Sequence, residues 1–270
     1  MNRISEAFKV ARRENRAAFI PYVTAGDPSL QRTVEIAAAL ERAGADVLEL
    51  GVPFSDPIAD GPTNQRASER ALALGASLTS VLEVVAEIRA RSRMAVVLFT
   101  YANPVVRFGI DRFAARAAAS GVDGVLFTDV PAEEMRRFRA GLKPAKLDAI
   151  MLVTPTSPKA RMKAAAKIGG GFLYLVSRTG VTGAQQNLDD ELAANVGLAR
   201  SASKLPVAVG FGISTPDQVA RVAAIADGVV VGSAIVNQIA EEGDTDRVAQ
   251  RVHEFAAPLA DACRRESNST

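Results

Sequence analysis

Short apolar segments alternate along the chain with longer segments in which charged residues recur at helical spacing. Most of the apolar segments are continuously hydrophobic, which is typical of strands buried on both faces of a parallel sheet. The pattern predicts eight strands: Ala18–Val23, Val47–Val52, Ala95–Tyr101, Gly124–Thr128, Ala149–Thr154, Phe172–Ser177, Val207–Phe211 and Gly228–Val231.

The longer segments, rich in alanine and in charge, predict helices. Ser29 is placed to cap a helix that stops before Gly44, and Thr215 precedes a proline in the first turn of another helix. The predicted helices are Ile4–Arg13, Leu30–Arg42, Leu78–Arg91, Asp111–Ala119, Ala132–Ala140, Lys159–Lys167, Asp189–Ala202, Thr215–Ala224 and Asp246–Cys263.

This alternation predicts an α/β fold, a single-domain (β/α)8 TIM barrel over residues 1–270 with an extra N-terminal helix. A doubly wound open sheet is the alternative, although it usually has fewer strands in one domain. In a barrel, functional groups gather where strands end and the following loops begin. The candidate chemistry is therefore sought at the carboxyl ends of the eight apolar segments.

Composition narrows the possible partners. The 270 residues are 48% hydrophobic and carry a net charge of +2, which gives little attraction to nucleic acid or an anionic membrane. One histidine and one cysteine provide neither an internal disulfide nor the usual zinc ligands, so no metal is expected. Because no apolar run could span a membrane and the N-terminus lacks a signal-peptide pattern, a cytoplasmic protein is expected.

Glu49 lies inside an apolar strand, where a carboxylate is costly to bury. If its side chain points into the barrel, burial raises its pKa and makes it a candidate for proton transfer near neutral pH. The alternative is a structural glutamate paired with a buried arginine or lysine.

Residues 51–62 contain three prolines and two glycines, which predict a loop after the strand that carries Glu49. Asp56 and Asp60 lie on this loop, and two carboxylates from one strand–loop unit suit paired general acid and base catalysis. Asp56 has the alternative of an ordinary turn or cap residue, whereas Asp60 is interpreted as functional. The apolar members of the loop indicate that substrate or a partner covers it.

Glycine-bearing segments follow the seventh and eighth strands, at Gly210-Phe211-Gly212 and Gly232-Ser233. Barrels often bind phosphate there, through backbone N–H groups and the N-terminus of a short helix. The alternatives are glycines that serve only tight turns, or a dinucleotide fingerprint that lacks its third glycine. Residues 177–185, with two glycines three apart, suit either a loop that closes over ligand or an ordinary solvent loop.

A phosphate site with carboxylates limits the possible reactions. A Schiff-base aldolase needs a lysine at a strand end, but none of the eight apolar segments contains one. A metal aldolase normally needs several histidines. Acid–base lyase or isomerase chemistry on a phosphorylated molecule remains.

The segment from Glu49 to Pro62, with the sequence ELGVPFSDPIADGP, resembles the signature of the tryptophan synthase alpha subunit family. Further matches extend over essentially the whole chain: PYVTAGDP at 21–28, YANP at 101–104, DVP at 129–131, YLVSR at 174–178, GVTG at 180–183, GFGI at 210–213 and GSAI at 232–235. The resemblance implies a carbon–carbon lyase that cleaves indole-3-glycerol phosphate to indole and glyceraldehyde 3-phosphate, in tryptophan biosynthesis.

The resemblance also implies roles for individual residues. It makes Glu49 and Asp60 the catalytic pair. The substrate-binding positions are Tyr22, Phe99, Leu126, Tyr174 and Thr182, and the phosphate-binding positions are Gly183, Phe211, Gly212, Gly232 and Ser233. Tyr22 stands where phenylalanine is commoner in the family and Phe99 where an aliphatic residue is frequent, which affects the pocket's shape rather than the reaction.

For partners, the resemblance implies an αββα heterotetramer in which indole passes internally to a beta subunit. This chain itself is expected to carry no cofactor, since pyridoxal phosphate belongs to the beta subunit. The implied partner-contact positions are Pro53, Asp56, Asn103 and Pro131. The alternative functions are that of indoleglycerol-phosphate synthase, which needs a strand-end lysine, and that of a non-catalytic barrel that only activates a partner.

Overall fold

The computed structural model describes residues 2–176, 185–210 and 212–265, except for the side chains of residues 185–189. Eight parallel strands pair in chain order and close into a barrel, with the last strand beside the first. The strands are β1 (Ala18–Thr24), β2 (Val47–Gly51), β3 (Ala95–Thr100), β4 (Gly124–Phe127), β5 (Asp148–Val153), β6 (Leu173–Val176), β7 (Val207–Gly210) and β8 (Gly228–Val231).

Helices precede the first strand and follow each strand in turn, so they lie outside the barrel. They are α1 (Arg3–Arg13), α2 (Leu30–Arg42), α3 (Pro62–Ala73), α4 (Leu78–Arg91), α5 (Ala102–Phe108), α6 (Ile110–Ser120), α7 (Met135–Leu142), α8 (Lys159–Ile168), α9 (Gln185–Ala202), α10 (Pro216–Ile225), α11 (Ser233–Glu242) and α12 (Val248–Asp261).

Successive side chains of each strand point alternately into the barrel and outward to the helices. On β2, Leu48 and Leu50 belong to the large outer cluster that packs against the helices, whereas Val47 belongs to the inner cluster. Glu49 follows Val47 by two residues and therefore shares its inward face. The alternation of β2 thus places a carboxyl group inside the barrel.

Helix α1 covers the end of the barrel where the strands begin. Its Ile4 and Phe8 belong to the inner cluster. The first residues of β4 and β8 are Gly124 and Gly228, and a Cβ at either would lie 3.0 Å from Ile4 or Phe8, respectively. With this end filled by apolar side chains, the opposite, carboxyl end is where a substrate can enter.

The predicted (β/α)8 barrel with an additional N-terminal helix is confirmed, and the open-sheet alternative is wrong because β1 pairs with β8. The predicted strand ends differ from the observed ones by at most two residues; Ser177 and Phe211 lie outside the described residues. That residues 1–270 form one domain stays a prediction.

Sequence pattern alone missed three helices, α3, α5 and α11. Each begins within a few residues of a loop at the carboxyl end of a strand, where prolines and glycines dominate the local pattern. Among the described residues no single helix is long and apolar enough to cross a membrane; α3 and α4 pass that test only as a pair bent by 97°.

Candidate active site

Glu49 lies on β2 between Tyr22 of β1 and Val97 of β3 in the strand register. It is 1% exposed, and its Oε1 atom is buried without a hydrogen-bond partner in the described part of the chain. Burial alone raises its pKa to about 8. Glu49 pairs with no arginine or lysine among the described residues, and with this pKa it is mostly protonated at neutral pH.

Residues 52–61, here named the acidic loop, connect β2 to α3 and carry Asp60. Two turns shape the loop, since Ile58 N donates to Asp56 O at 2.9 Å and Asp60 N donates to Pro57 O at 3.0 Å. Burial raises the pKa of Asp60 to about 6. This carboxyl group is therefore mostly ionised at neutral pH, in contrast to Glu49.

Tyr101 follows β3 and contacts the acidic loop with both its ring and its hydroxyl group. The ring packs against Phe54 with centroids 5.1 Å apart. The hydroxyl oxygen accepts a hydrogen bond from Ala59 N at 3.0 Å. Sequence pattern assigned no role to Tyr101 and so missed this second contact. The sequence did contain a signal for this contact. Tyr101 directly follows β3, and β3 pairs with β2, the strand that leads into the acidic loop.

Four of the five predicted substrate-binding side chains are described, and they lie on the inner face of the barrel. The rings of Tyr22 and Phe99 meet edge to face at 5.2 Å. The Tyr22 hydroxyl forms a buried hydrogen bond with Thr24 Oγ1 at 3.2 Å. Leu126 and Tyr174 belong to the inner cluster and are buried. Together they form an apolar wall of the kind that an aromatic ring requires.

Two strand-end glycines make room for these tyrosines. A Cβ on Gly51 would overlap the Tyr22 hydroxyl, and a Cβ on Gly210 would overlap the Tyr174 hydroxyl. The strand ends therefore need glycine for close approach of an aromatic side chain, in addition to any role in the following loops.

Both carboxyl groups affect the pKa of the same buried tyrosine, Tyr22. Burial raises the pKa of Tyr22, and the negative charges of Asp60 and, to a smaller extent, Glu49 raise it further. Glu49 also raises the pKa of Tyr174, after the larger effect of burial. Both carboxyl groups therefore lie within electrostatic reach of the Tyr22 hydroxyl.

The predicted phosphate-binding positions after β7 and β8 lie on one rim, because Gly210 of β7 pairs with Val230 of β8. Gly212 is exposed and has a φ of +73°, which favours glycine. Gly232 is the N-cap of α11 without a side-chain cap, and Ser233 begins that helix. Free N–H groups at a helix N-terminus attract anions.

Three predicted positions, Thr182, Gly183 and Phe211, lie outside the described residues. Of the predicted partner contacts, Asp56, Asn103 and Pro131 are exposed, whereas Pro53 is buried within this chain. The part of the chain that the structure describes contains no group of three or more His, Cys, Asp or Glu side chains that could hold a metal ion.

A family model described as tryptophan synthase alpha chain matches residues 8–264. The chain belongs to the tryptophan synthase alpha chain family. The alpha chain of Geobacter sulfurreducens is 48% identical over 262 residues, covering 97% of this chain and 99% of that protein. Among solved structures, the alpha subunit from Legionella pneumophila is 38% identical with a TM-score of 0.90, covering 97% of this chain and 98% of that one.

Another similar structure is that of Mycobacterium tuberculosis tryptophan synthase, with 37% identity, a TM-score of 0.89 and coverage of 98% of this chain and 99% of that chain. The tryptophan synthase alpha chain family supplies the alpha subunit in tryptophan biosynthesis, a lyase that cleaves indole-3-glycerol phosphate. It works with a beta subunit, which holds pyridoxal phosphate, and has no cofactor of its own.

Proposed function

We propose that Glu49 and Asp60 are the acid–base pair of a retro-aldol cleavage of indole-3-glycerol phosphate to indole and glyceraldehyde 3-phosphate. One observation carries the assignment. Burial separates the two pKa values to about 8 and about 6, so that one acid is mostly protonated and the other mostly ionised at pH 7, and both groups lie within electrostatic reach of Tyr22.

Glu49 performs the proton transfers. Its protonated carboxyl group donates to C3 of the indole ring, which converts the ring to a C3-protonated indolenine cation. The resulting carboxylate then takes the proton of the hydroxyl group on the adjacent glyceryl carbon. The bond between that carbon and C3 breaks, its electron pair restores the indole ring, and an aldehyde forms. Glu49 ends protonated, ready for the next turnover.

Asp60 stabilises the charge that develops between these two transfers. Its carboxylate accepts a hydrogen bond from the indole N–H, and this bond strengthens as the ring becomes cationic. A group that interacts more strongly with the transition state than with the substrate accelerates the chemical step. The role requires an ionised carboxyl group, which the pKa of about 6 provides at neutral pH.

The remaining predicted positions bind the substrate. Tyr22, Phe99, Leu126 and Tyr174 contact the indole ring, and Thr182 helps to close the site beside Asp60. The phosphate group binds at Gly183, Phe211, Gly212, Gly232 and Ser233. Support for the phosphate end comes from the uncapped N-terminus of α11 and the positive φ of Gly212 on the same rim.

The beta subunit binds around the acidic loop, through Pro53, Asp56, Asn103 and Pro131, and receives indole within an αββα assembly. Exposure of Asp56, Asn103 and Pro131 supports this arrangement. We place the protein in the cytoplasm, a location consistent with a biosynthetic enzyme that has one cysteine, which is buried.

The assignment is tested by turnover of indole-3-glycerol phosphate, with and without a beta subunit. Glu49→Gln is expected to lose nearly all cleavage while it retains substrate binding, because the amide cannot transfer the proton. Asp60→Asn is expected to lose cleavage because the amide carries no charge. If Asp60→Asn cleaves the substrate as fast as the unmodified protein, the barrel serves only to activate its partner and the catalytic proposal is wrong.

A further inference from the structure

Two polar side chains hold the backbone of the acidic loop. The Tyr101 hydroxyl accepts from Ala59 N at 3.0 Å, at the residue immediately before Asp60. Gln65 of α3 donates through Nε2 to Asp60 O at 2.8 Å and to Pro57 O at 3.4 Å. Both side chains restrain the backbone around Asp60.

Only one of the two also acts on the Asp60 carboxyl group. Burial raises the pKa of Asp60, and hydrogen bonding from the Tyr101 hydroxyl opposes that rise. A hydroxyl that accepts from an amide still has its own proton to donate. Tyr101 can therefore bind Ala59 N with its lone pair and the Asp60 carboxylate with its hydrogen, whereas Gln65 contacts only backbone oxygens.

The Tyr101 side chain is fixed well enough for this role. It is 3% exposed, and its ring packs against Phe54 of the same loop. Burial raises the pKa of the phenol to about 12, so it keeps its proton throughout the neutral range. A packed ring limits the loss of conformational freedom on binding, and a neutral hydroxyl always has a hydrogen to donate.

We propose that Tyr101 is a positioning residue for the cleavage reaction, whose hydroxyl group joins Ala59 N to the Asp60 carboxylate and holds that carboxylate ready for the indole N–H. The inference rests on the proposed role of Asp60 and adds a residue to which neither the sequence pattern nor the family resemblance assigned a function. Asp60 touches the substrate in this mechanism, and Tyr101 acts through Asp60.

The test compares Tyr101→Phe with Gln65→Met in the full-length protein. Both variants remove a tether of the acidic loop, but only Tyr101→Phe removes the hydroxyl group that is proposed to bind the carboxylate. The measurement is kcat/KM for indole-3-glycerol phosphate from pH 5 to pH 9, because this parameter reports ionisations of the free enzyme. Circular dichroism and thermal unfolding verify that each variant is folded.

For Tyr101→Phe, the acid limb of the profile is expected to move up by about one pH unit, the usual effect of losing a hydrogen bond to a charged group. At pH 5.5 this shift lowers kcat/KM by about tenfold, with a smaller loss at pH 8. Gln65→Met is expected to reduce kcat/KM without moving the acid limb. If the acid limbs of the two variants lie at the same pH, Tyr101 only tethers the loop and the proposal is wrong.

A second variant keeps the proposal testable even if Tyr101→Phe does not fold. Site-specific replacement of Tyr101 by 3-fluorotyrosine preserves the ring and strengthens the hydroxyl as a donor. The acid limb should then move to lower pH, and an unmoved limb would overturn the proposal. If Asp60→Asn is inactive while neither Tyr101 variant shifts the profile, the role of Tyr101 fails and the catalytic role of Asp60 stands.

Discussion

Glu49 and Asp60 are both carboxylic acids, but their surroundings give them different pKa values. Glu49 is enclosed by the barrel interior, and its buried Oε1 has no hydrogen-bond partner among the described residues; burial raises its pKa to about 8. Asp60 is also desolvated, but the hydroxyl of Tyr101 limits its pKa to about 6. At neutral pH, one carboxyl group is therefore mostly protonated and the other mostly ionised, as the proposed mechanism requires.

The pH dependence of kcat/KM follows from these two values. Activity should rise as Asp60 ionises near pH 6 and fall as Glu49 loses its proton near pH 8, which gives a bell-shaped profile. Steady-state assays of indole-3-glycerol phosphate cleavage from pH 5 to pH 9 measure it. A profile that stays flat between pH 5 and pH 9 would contradict the assignment of both acids.

Glu49 should also make stability depend on pH. In the unfolded chain the group ionises near its ordinary pKa of 4.5, whereas in the folded protein it stays protonated up to about pH 8. Between these values folding takes up a proton, so stability falls as pH rises, by up to about 1.4 kcal/mol per pH unit.

Glu49→Gln removes this effect because glutamine does not ionise. The unfolding free energy of the variant, relative to that of the unmodified protein, should therefore increase from pH 5 to pH 8. Urea denaturation at pH 5, 6.5 and 8 measures the difference. The contribution of Asp60 is present in both proteins and cancels. Parallel stability curves would mean that Glu49 is not desolvated in solution.

Helix α1 illustrates how an element supports the site from the opposite end of the barrel. Asn2, its N-cap, accepts from Ile4 N at 2.8 Å and donates to Asp148 at 2.7 Å, and Arg3 pairs with Asp123 at 3.0 Å. Ile4 and Phe8 then fill the interior between the strands. The helix completes the core on which the strand register, and hence the position of Glu49, depends.

Ile4→Ala is expected to destabilise the protein by about 2–5 kcal/mol, because Ile4 is fully buried and the barrel strands cannot collapse into the cavity. The exposed Arg12 on the same helix provides the control, since Arg12→Ala removes no buried apolar group. Chemical denaturation measures both. Equal midpoints for the two variants would mean that α1 does not seal the barrel.

For the whole molecule, the closure of the barrel decides which loops meet. Pro21 of β1 pairs with Val231 of β8, so the first strand and the phosphate-side turn at Gly232 are neighbours. The acidic loop lies on the same rim and exposes Ile58, which is 86% accessible. An apolar side chain presented among acids at the mouth of the site suits a surface that a partner covers.

Ile58→Asp is therefore expected to weaken association with the beta subunit, since a charge would be buried in the interface. Leu74, 65% exposed at the far end of α3, is the matched control, and Leu74→Asp should associate normally. Titration calorimetry with a purified beta subunit measures both affinities. If the two variants bind equally well, the acidic loop is not part of the interface.

The sequence determined the class of fold and singled out Glu49 and Asp60 as the candidate acids. Continuous apolar segments separated by amphipathic helices specify a parallel barrel. A single glutamate, Glu49, inside such a segment stands out in the local pattern because burying a carboxylate costs free energy. The helices α3, α5 and α11 were not detected, because prolines and glycines in the preceding loops obscure the helical pattern of short segments.

The tertiary structure alone decided how these residues act together. Pattern could not show that Glu49 has no ion-pair partner in the described part of the chain, that the Tyr101 hydroxyl reaches Ala59, or that Pro53 is buried while Asp56 is exposed. These properties depend on contacts between segments far apart in the chain. Burial and hydrogen bonding set a pKa, and both are fixed only when the strands close into a barrel.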